Sequence, residues 1–123
     1  MKIYFSIISI FLFFSISVFS QAPGIEWQNT IGGGSTDRLT CVQQAPGGYI
    51  LGGSSGSNIF GDKTEINIGE FDYWILKLDT AGDILWQNTI GGTADDDLYS
   101  IQNTADGGYI IGGESESEAS ADK

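Results

Sequence analysis

One seven-residue phrase occurs twice in this chain, and that repetition restricts the fold more than any other feature. Trp27-Gln28-Asn29-Thr30-Ile31-Gly32-Gly33 returns as Trp86-Gln87-Asn88-Thr89-Ile90-Gly91-Gly92, 59 positions later. Gly47-Gly48-Tyr49-Ile50 returns as Gly107-Gly108-Tyr109-Ile110, and Asp62-Lys63 as Asp122-Lys123, each 60 positions later. The register moves by a single residue, in the turn before Gly-Gly-Tyr. Such spacing marks a repeat architecture, in which one unit cannot bury its apolar face alone and must stack on a neighbour. The second copy stops partway, so the 123 residues read as the N-terminal fragment of a longer protein.

Residues 1–20 differ in kind from the rest. Met1 and Lys2 give a short positive start, and residues 3–19 are almost wholly Ile, Leu, Phe, Val and Ser. Val18-Phe19-Ser20 then offers modest side chains where a signal peptidase reads, which predicts a secretory signal peptide cleaved between Ser20 and Gln21. The competing reading is a retained anchor. Seventeen residues interrupted by four serines fall short of the ~20 apolar residues that span a bilayer. Residues 21–123 are then the mature region, with no second apolar run.

Losing Lys2 takes the net charge from −11 to −12, with four basic residues left (Arg38, Lys63, Lys77, Lys123) against sixteen acidic ones. Phosphate backbones and anionic membrane surfaces repel such a chain, which argues against nucleic acid and, once the leader is removed, against membrane as partners. Its negative charge favours solubility outside the cell. A lone cysteine, Cys41, excludes a disulfide scaffold within this chain. Its counterpart in the second copy is Ser100, which marks a small packing position instead of a nucleophile. Histidine is absent, and with it the commonest general base and transition-metal ligand.

The mature region alternates apolar and polar residues between Gly-, Asp- and Asn-rich turns. Strands are expected over 39–43, 49–54, 73–78, 84–90, 98–103 and 109–115. Turns are expected at 45–48, 79–83 and 104–107, where Gly and Asp accept the positive φ of tight hairpins. Residues 26–31 share the sequence of the 84–90 strand and are expected to be extended in the same way. A polar loop, 55–71, separates the second and third strands. Four antiparallel strands per unit, repeated, predict an all-β fold of β-propeller-like blades. A solenoid of stacked hairpins is the alternative; a sandwich does not require internal repetition.

Three places invite a chemical reading. Trp27, Trp74 and Trp86 are each large enough to wedge units together, and an exposed Trp stacks on sugars; Trp74 is the one considered for that role. Asp95-Asp96-Asp97 raises calcium, but successive residues of an extended chain point to opposite sides and no Asp-x-Asp-x-Asp-Gly loop is present. Only Asp96 has a counterpart, Asp37, four residues after a Gly-Gly, which favours a loop-capping hydrogen bond. Metal binding stays open. The Gly-Gly pairs are not followed by a helix or a Lys-Ser/Thr, so they are not phosphate cradles. No catalytic residue and no cofactor is assigned.

The set Trp-Gln-x-x-x-Gly-Gly-x-x-x-Asp, Asp-Gly-Gly-Tyr-Ile-x-x-Gly-x-Ser, Gly-Asp-Lys-Thr-Glu and Asp-Tyr-Trp-Ile-x-Lys-Leu-Asp-x-x-Gly-x-x-x-Trp resembles the propeller-like repeats of secreted Bacteroidetes proteins. Those often carry a type IX secretion (Por) C-terminal sorting domain. The resemblance covers residues 25–123 and implies export with surface display or release, and no known catalysis. A weaker likeness, through Asp79-x-x-Gly82-x-x-x-Trp86, is to quinoprotein propellers, although Lys77 and Ala81 depart from that pattern and the adjacent Cys pair is missing. The expectation is a secreted, non-catalytic scaffold or binding module for carbohydrate or protein at the cell surface. The alternative is the propeller part of a larger secreted enzyme.

Overall fold

The computed structural model describes residues 22–119 and Asp122. The leader expected over residues 1–20 lies outside the described residues. The alternating segments form six strands: β1 (Asp37–Ala45), β2 (Gly48–Ser55), β3 (Asp72–Leu78), β4 (Ile84–Ile90), β5 (Asp96–Asn103) and β6 (Tyr109–Ser115). All pairings are antiparallel, giving a four-stranded sheet in the order β1-β2-β3-β4 and a two-stranded sheet β5-β6. No helix occurs among the described residues. The fold is all-β.

The turns form for local reasons. Between β1 and β2, Pro46 presets φ and Gly47 takes φ 72°. Between β3 and β4, the Asp79 carboxylate accepts the Ala81 and Asp83 amides at 2.8 and 3.0 Å while Gly82 takes φ 90°. Between β5 and β6, Gly107 takes φ 87° and Asp106 accepts the Gly108 amide at 3.2 Å.

A bulge recurs at the same place in both units. The β1–β2 register shifts between Leu39 and Cys41, and the β5–β6 register shifts between Leu98 and Ser100. An extra residue reverses the side-chain alternation beyond it. Leu98 and Ile101, three apart, therefore share one face, and both are buried. Strict period-2 reading of the sequence misses this.

The four-stranded sheet is apolar on both faces, because β2 and β3 lie at its centre. One face carries Ile50, Tyr73 and Ile75, which pack with Leu98 and Ile101 of the second unit. β5 rests across β1, β2 and β3. Leu98 fits over Gly52, where a Cβ would stand 2.8 Å from its Cδ2. Two hydrogen bonds fix the joint: the Leu98 amide donates to Ser54 Oγ at 3.2 Å, and Thr40 Oγ1 donates to the Leu98 carbonyl at 2.6 Å. The opposite face carries Trp74, Leu76 and Leu78 with Tyr49, Leu51, Ile31 and Ile84.

Residues 26–31 depart from expectation. They form no strand, whereas their counterpart β4 pairs along its length with β3. They join no ladder among the described residues. They are held by side chains instead. Trp27 packs edge-on against Tyr49 (centroids 5.8 Å apart, 63°), and its ring covers Gly82. Asn29 Nδ2 donates to the Gly82 carbonyl at 3.2 Å.

Candidate functional site

The polar residues of the repeat converge on the Gly-Gly pairs. The Gly33 amide donates to Asp37 Oδ2 at 2.7 Å, and the Gly32 amide donates to Asp62 Oδ2 at 3.1 Å. In the second unit the Gly92 amide donates to Asp96 Oδ2 at 2.7 Å, and the Gly91 amide to Asp122 Oδ2 at 3.4 Å. Serines complete each lock. Ser57 Oγ donates to Asp37 Oδ2 at 3.1 Å and accepts the Ser35 amide at 2.8 Å. Ser117 Oγ donates to Asp96 Oδ2 at 3.0 Å and accepts the Ala94 amide at 3.0 Å. Each amide of a pair is met by a different carboxylate of the protein itself. Asp37 and Asp96 do hold their loops, although through the amide four residues before them.

Asp95, Asp96 and Asp97 do not act together. Asp95 Oδ1 accepts the Phe71 amide at 3.2 Å, Asp96 is buried in its lock, and Asp97 lies partly exposed on β5. Among the described residues no three His, Cys, Asp or Glu side chains gather in a metal-binding arrangement. Asp72 is a further buried carboxylate, with Oδ2 accepting the Ile68 and Gly69 amides at 2.6 and 3.2 Å.

Lys63, in the middle of the polar loop, is almost fully buried. Its Nζ donates to Thr89 Oγ1 at 2.8 Å and lies 5.7 Å from the centre of the Trp74 ring. Burial pushes its ammonium below the ordinary lysine range, opposed by the carboxylates of Asp72, Glu65 and Asp37. The flanking loop reads β4 through hydrogen bonds. Gln87 Nε2 donates to the Asp62 carbonyl at 2.7 Å, and Gln87 Oε1 accepts the Thr64 amide at 3.1 Å and Trp74 Nε1 at 3.0 Å. The Thr89 amide donates to Glu65. The Trp-Gln-Asn-Thr stretch of β4 and the Asp-Lys-Thr-Glu stretch of the loop are thus partners. The burial of Lys63 was not anticipated, yet its signal was available: Asp62-Lys63 recurs as Asp122-Lys123 in a loop whose copies otherwise share only two serines.

All three tryptophans pack against neighbouring side chains, as the packing reading expects, but to different depths. Trp74, the one considered for sugar stacking, is buried, which removes it from that role. Trp86 remains 41% exposed while bridging the units, its ring 5.9 Å from that of Tyr109. Asp62, Thr64, Leu85 and Gln87 surround it in a shallow depression. Trp27 and Tyr49 repeat the Trp86–Tyr109 pair. Cys41 packs half-buried at the joint, with Sγ 3.4 Å from the Gly52 carbonyl.

The second notable concavity is a groove of about 650 Å³ on the face of the four-stranded sheet away from β5. Ile31, Leu39, Val42, Tyr49, Leu51 and Trp74 contribute to its largely apolar wall. No family model, curated protein or solved structure matches this chain.

Proposed function

We propose that this chain is an exported, non-catalytic scaffold of propeller-like blades, offering a binding surface for carbohydrate or protein at the cell surface. The observation that supports it is the duplicated lock. Asp37 with Ser57, and Asp96 with Ser117, hold Gly33 and Gly92 in the same way. Carboxylates and glycine amides, from which active sites are often built, are here engaged in holding loops. Stacking of one unit on the next buries Leu98 and Ile101, as a blade requires. The leader read in residues 1–20 supplies the export. The half-exposed Trp86 ring, flanked by the polar groups of Asp62, Thr64 and Gln87, suits a sugar face.

Expression of the full chain in a secreting bacterium tests the first part: the exported product is expected to begin at Gln21, and a product retaining residues 1–20 counts against it. Affinity electrophoresis in gels containing soluble polysaccharides tests the second. Retardation by at least one polysaccharide, abolished by Trp86→Ala, is the expected result. Unretarded migration in all of them removes the carbohydrate reading.

A further inference from the structure

Among the described residues, both halves of a joint that the chain makes internally are also displayed unpaired. Within the molecule, Ile90 at the end of β4 and Leu98, Ile101, Tyr109 and Ile111 of β5 and β6 pack with Ile50, Tyr73 and Ile75 of β2 and β3. The counterparts of the first five, one repeat earlier, are Ile31, Leu39, Val42, Tyr49 and Leu51, and all five line the 650 Å³ groove. Leu98 is fully buried, whereas Leu39 is 62% exposed. The receiving half is displayed at the other end. Leu98 is seated against Gly52, Cys41 and Ile50. The counterparts of these residues are Gly112, Ser100 and Ile110, on the outer face of β5–β6. Ile50 is 0% exposed, but Ile110 is 61% exposed. A Cβ on Gly52 would collide with Leu98, while a Cβ on Gly112 would meet only Ser100 Oγ, at 3.1 Å. The socket is present and open.

We infer that the groove is a docking surface for a second copy of this chain, whose β5–β6 outer face receives Leu39 and Val42 as the four-stranded sheet receives Leu98 and Ile101. The partner's Ile110 face supplies the equivalents of β1 and β2, two of the three strands on which β5 rests. The two halves lie at opposite ends of the stack, so the contact is heterologous, head to tail, and propagates beyond a pair. This inference rests on the internal joint and not on export or on carbohydrate binding.

Sedimentation velocity on the full chain, purified as its host processes it, tests this at ~0.15 M salt, where repulsion between acidic surfaces is screened. Two exposed-site variants separate the halves: Leu39→Asp with Val42→Asp disables the groove, and Ile110→Asp disables the socket. The unmodified chain is expected to form a concentration-dependent series of oligomers. Each variant alone should stay monomeric up to concentrations about tenfold or more higher, as loss of a central apolar anchor implies. An equimolar mixture should form a dimer and nothing larger, because one good groove meets one good socket. A monomeric unmodified chain overturns the proposal, whether the groove is then empty or filled by a later part of a longer chain. Association that survives either variant, or a mixture that fails to dimerise while circular dichroism shows both variants folded, also overturns it.

Discussion

Leu98 and Leu39 occupy the same place in two copies of one repeat, and truncating each to alanine should have sharply different effects. Leu98 is fully buried against Gly52, Cys41 and Ile50. A buried Leu→Ala change typically destabilises by about 2–5 kcal/mol, and the rigid backbone of β1 and β2 beneath it leaves little scope for collapse. A value near 3 kcal/mol is expected. Leu39 is 62% exposed, so about two-fifths of its surface is covered. Full burial of a leucine is worth about 1.5–3 kcal/mol, which scales to roughly 1 kcal/mol or less here. The gap of about 2 kcal/mol is close to thirtyfold in the unfolding equilibrium. Urea denaturation followed by tryptophan fluorescence, at concentrations low enough to keep copies apart, measures both. Equal losses would refute the reasoning, because they would mean that the joint between units carries no more burial than the open groove. A change in the slope of the Leu98→Ala transition, with a second step, would show that the β5–β6 sheet detaches separately.

Gly91→Ala and Gly32→Ala form a second matched pair. A Cβ at Gly91 would fall 1.8 Å from the buried Asp72 Oδ1, whereas at Gly32 it meets only Asp37 Oδ2, at 3.3 Å. Thermal unfolding should show a loss of about 1–3 kcal/mol or more for Gly91→Ala and well under that for Gly32→Ala. Lys63 gives a pH test. Its folded-state affinity for protons is lowered, so between that lowered value and the ordinary ~10.4 the unfolded chain holds more protons and stability rises with pH. Comparison with Lys63→Met cancels the opposing effect of Tyr99, whose hydroxyl is pushed up to about 12 by its hydrogen bond to Glu114 and so favours the folded chain less as pH climbs from 10 to 12. Urea midpoints from pH 7 to 10 should move upward in the parent relative to the variant. Parallel curves would mean that Lys63 is not desolvated.

The strands and turns were legible because each carries local instructions. Residues 109–115 and 84–90 match β6 and β4 residue for residue, and Pro46-Gly47 and Asp79 to Gly82 make the turns their chemistry favours. The environment of a side chain was less legible. Trp74 lies in the apolar run of β3, which is buried along its whole length, whereas Trp86 lies where β4, an edge strand, turns polar at Gln87 and Asn88 and is half-exposed. The repeated sequence at 26–31 does not by itself specify a strand, since its counterpart is a strand only where it pairs with β3. The bulge after Leu39 and Leu98 is invisible to a period-2 reading, and it decides which side chains face the joint. The Gly-Gly amides meet carboxylates of the chain itself, and these were only half legible. Asp37 and Asp96 carry a signal in their common spacing; the contribution of Asp62 and Asp122 depends on a loop returning from 30 or 31 residues away.

The recurrence of Gly52 under Leu98 as Gly112, which among the described residues meets only Ser100, makes each module both guest and host in the same geometry. A coupling of that kind is indifferent to how many modules precede or follow it. Whole modules can therefore be gained or lost in evolution, or spliced in by a designer, without inventing a new contact surface each time.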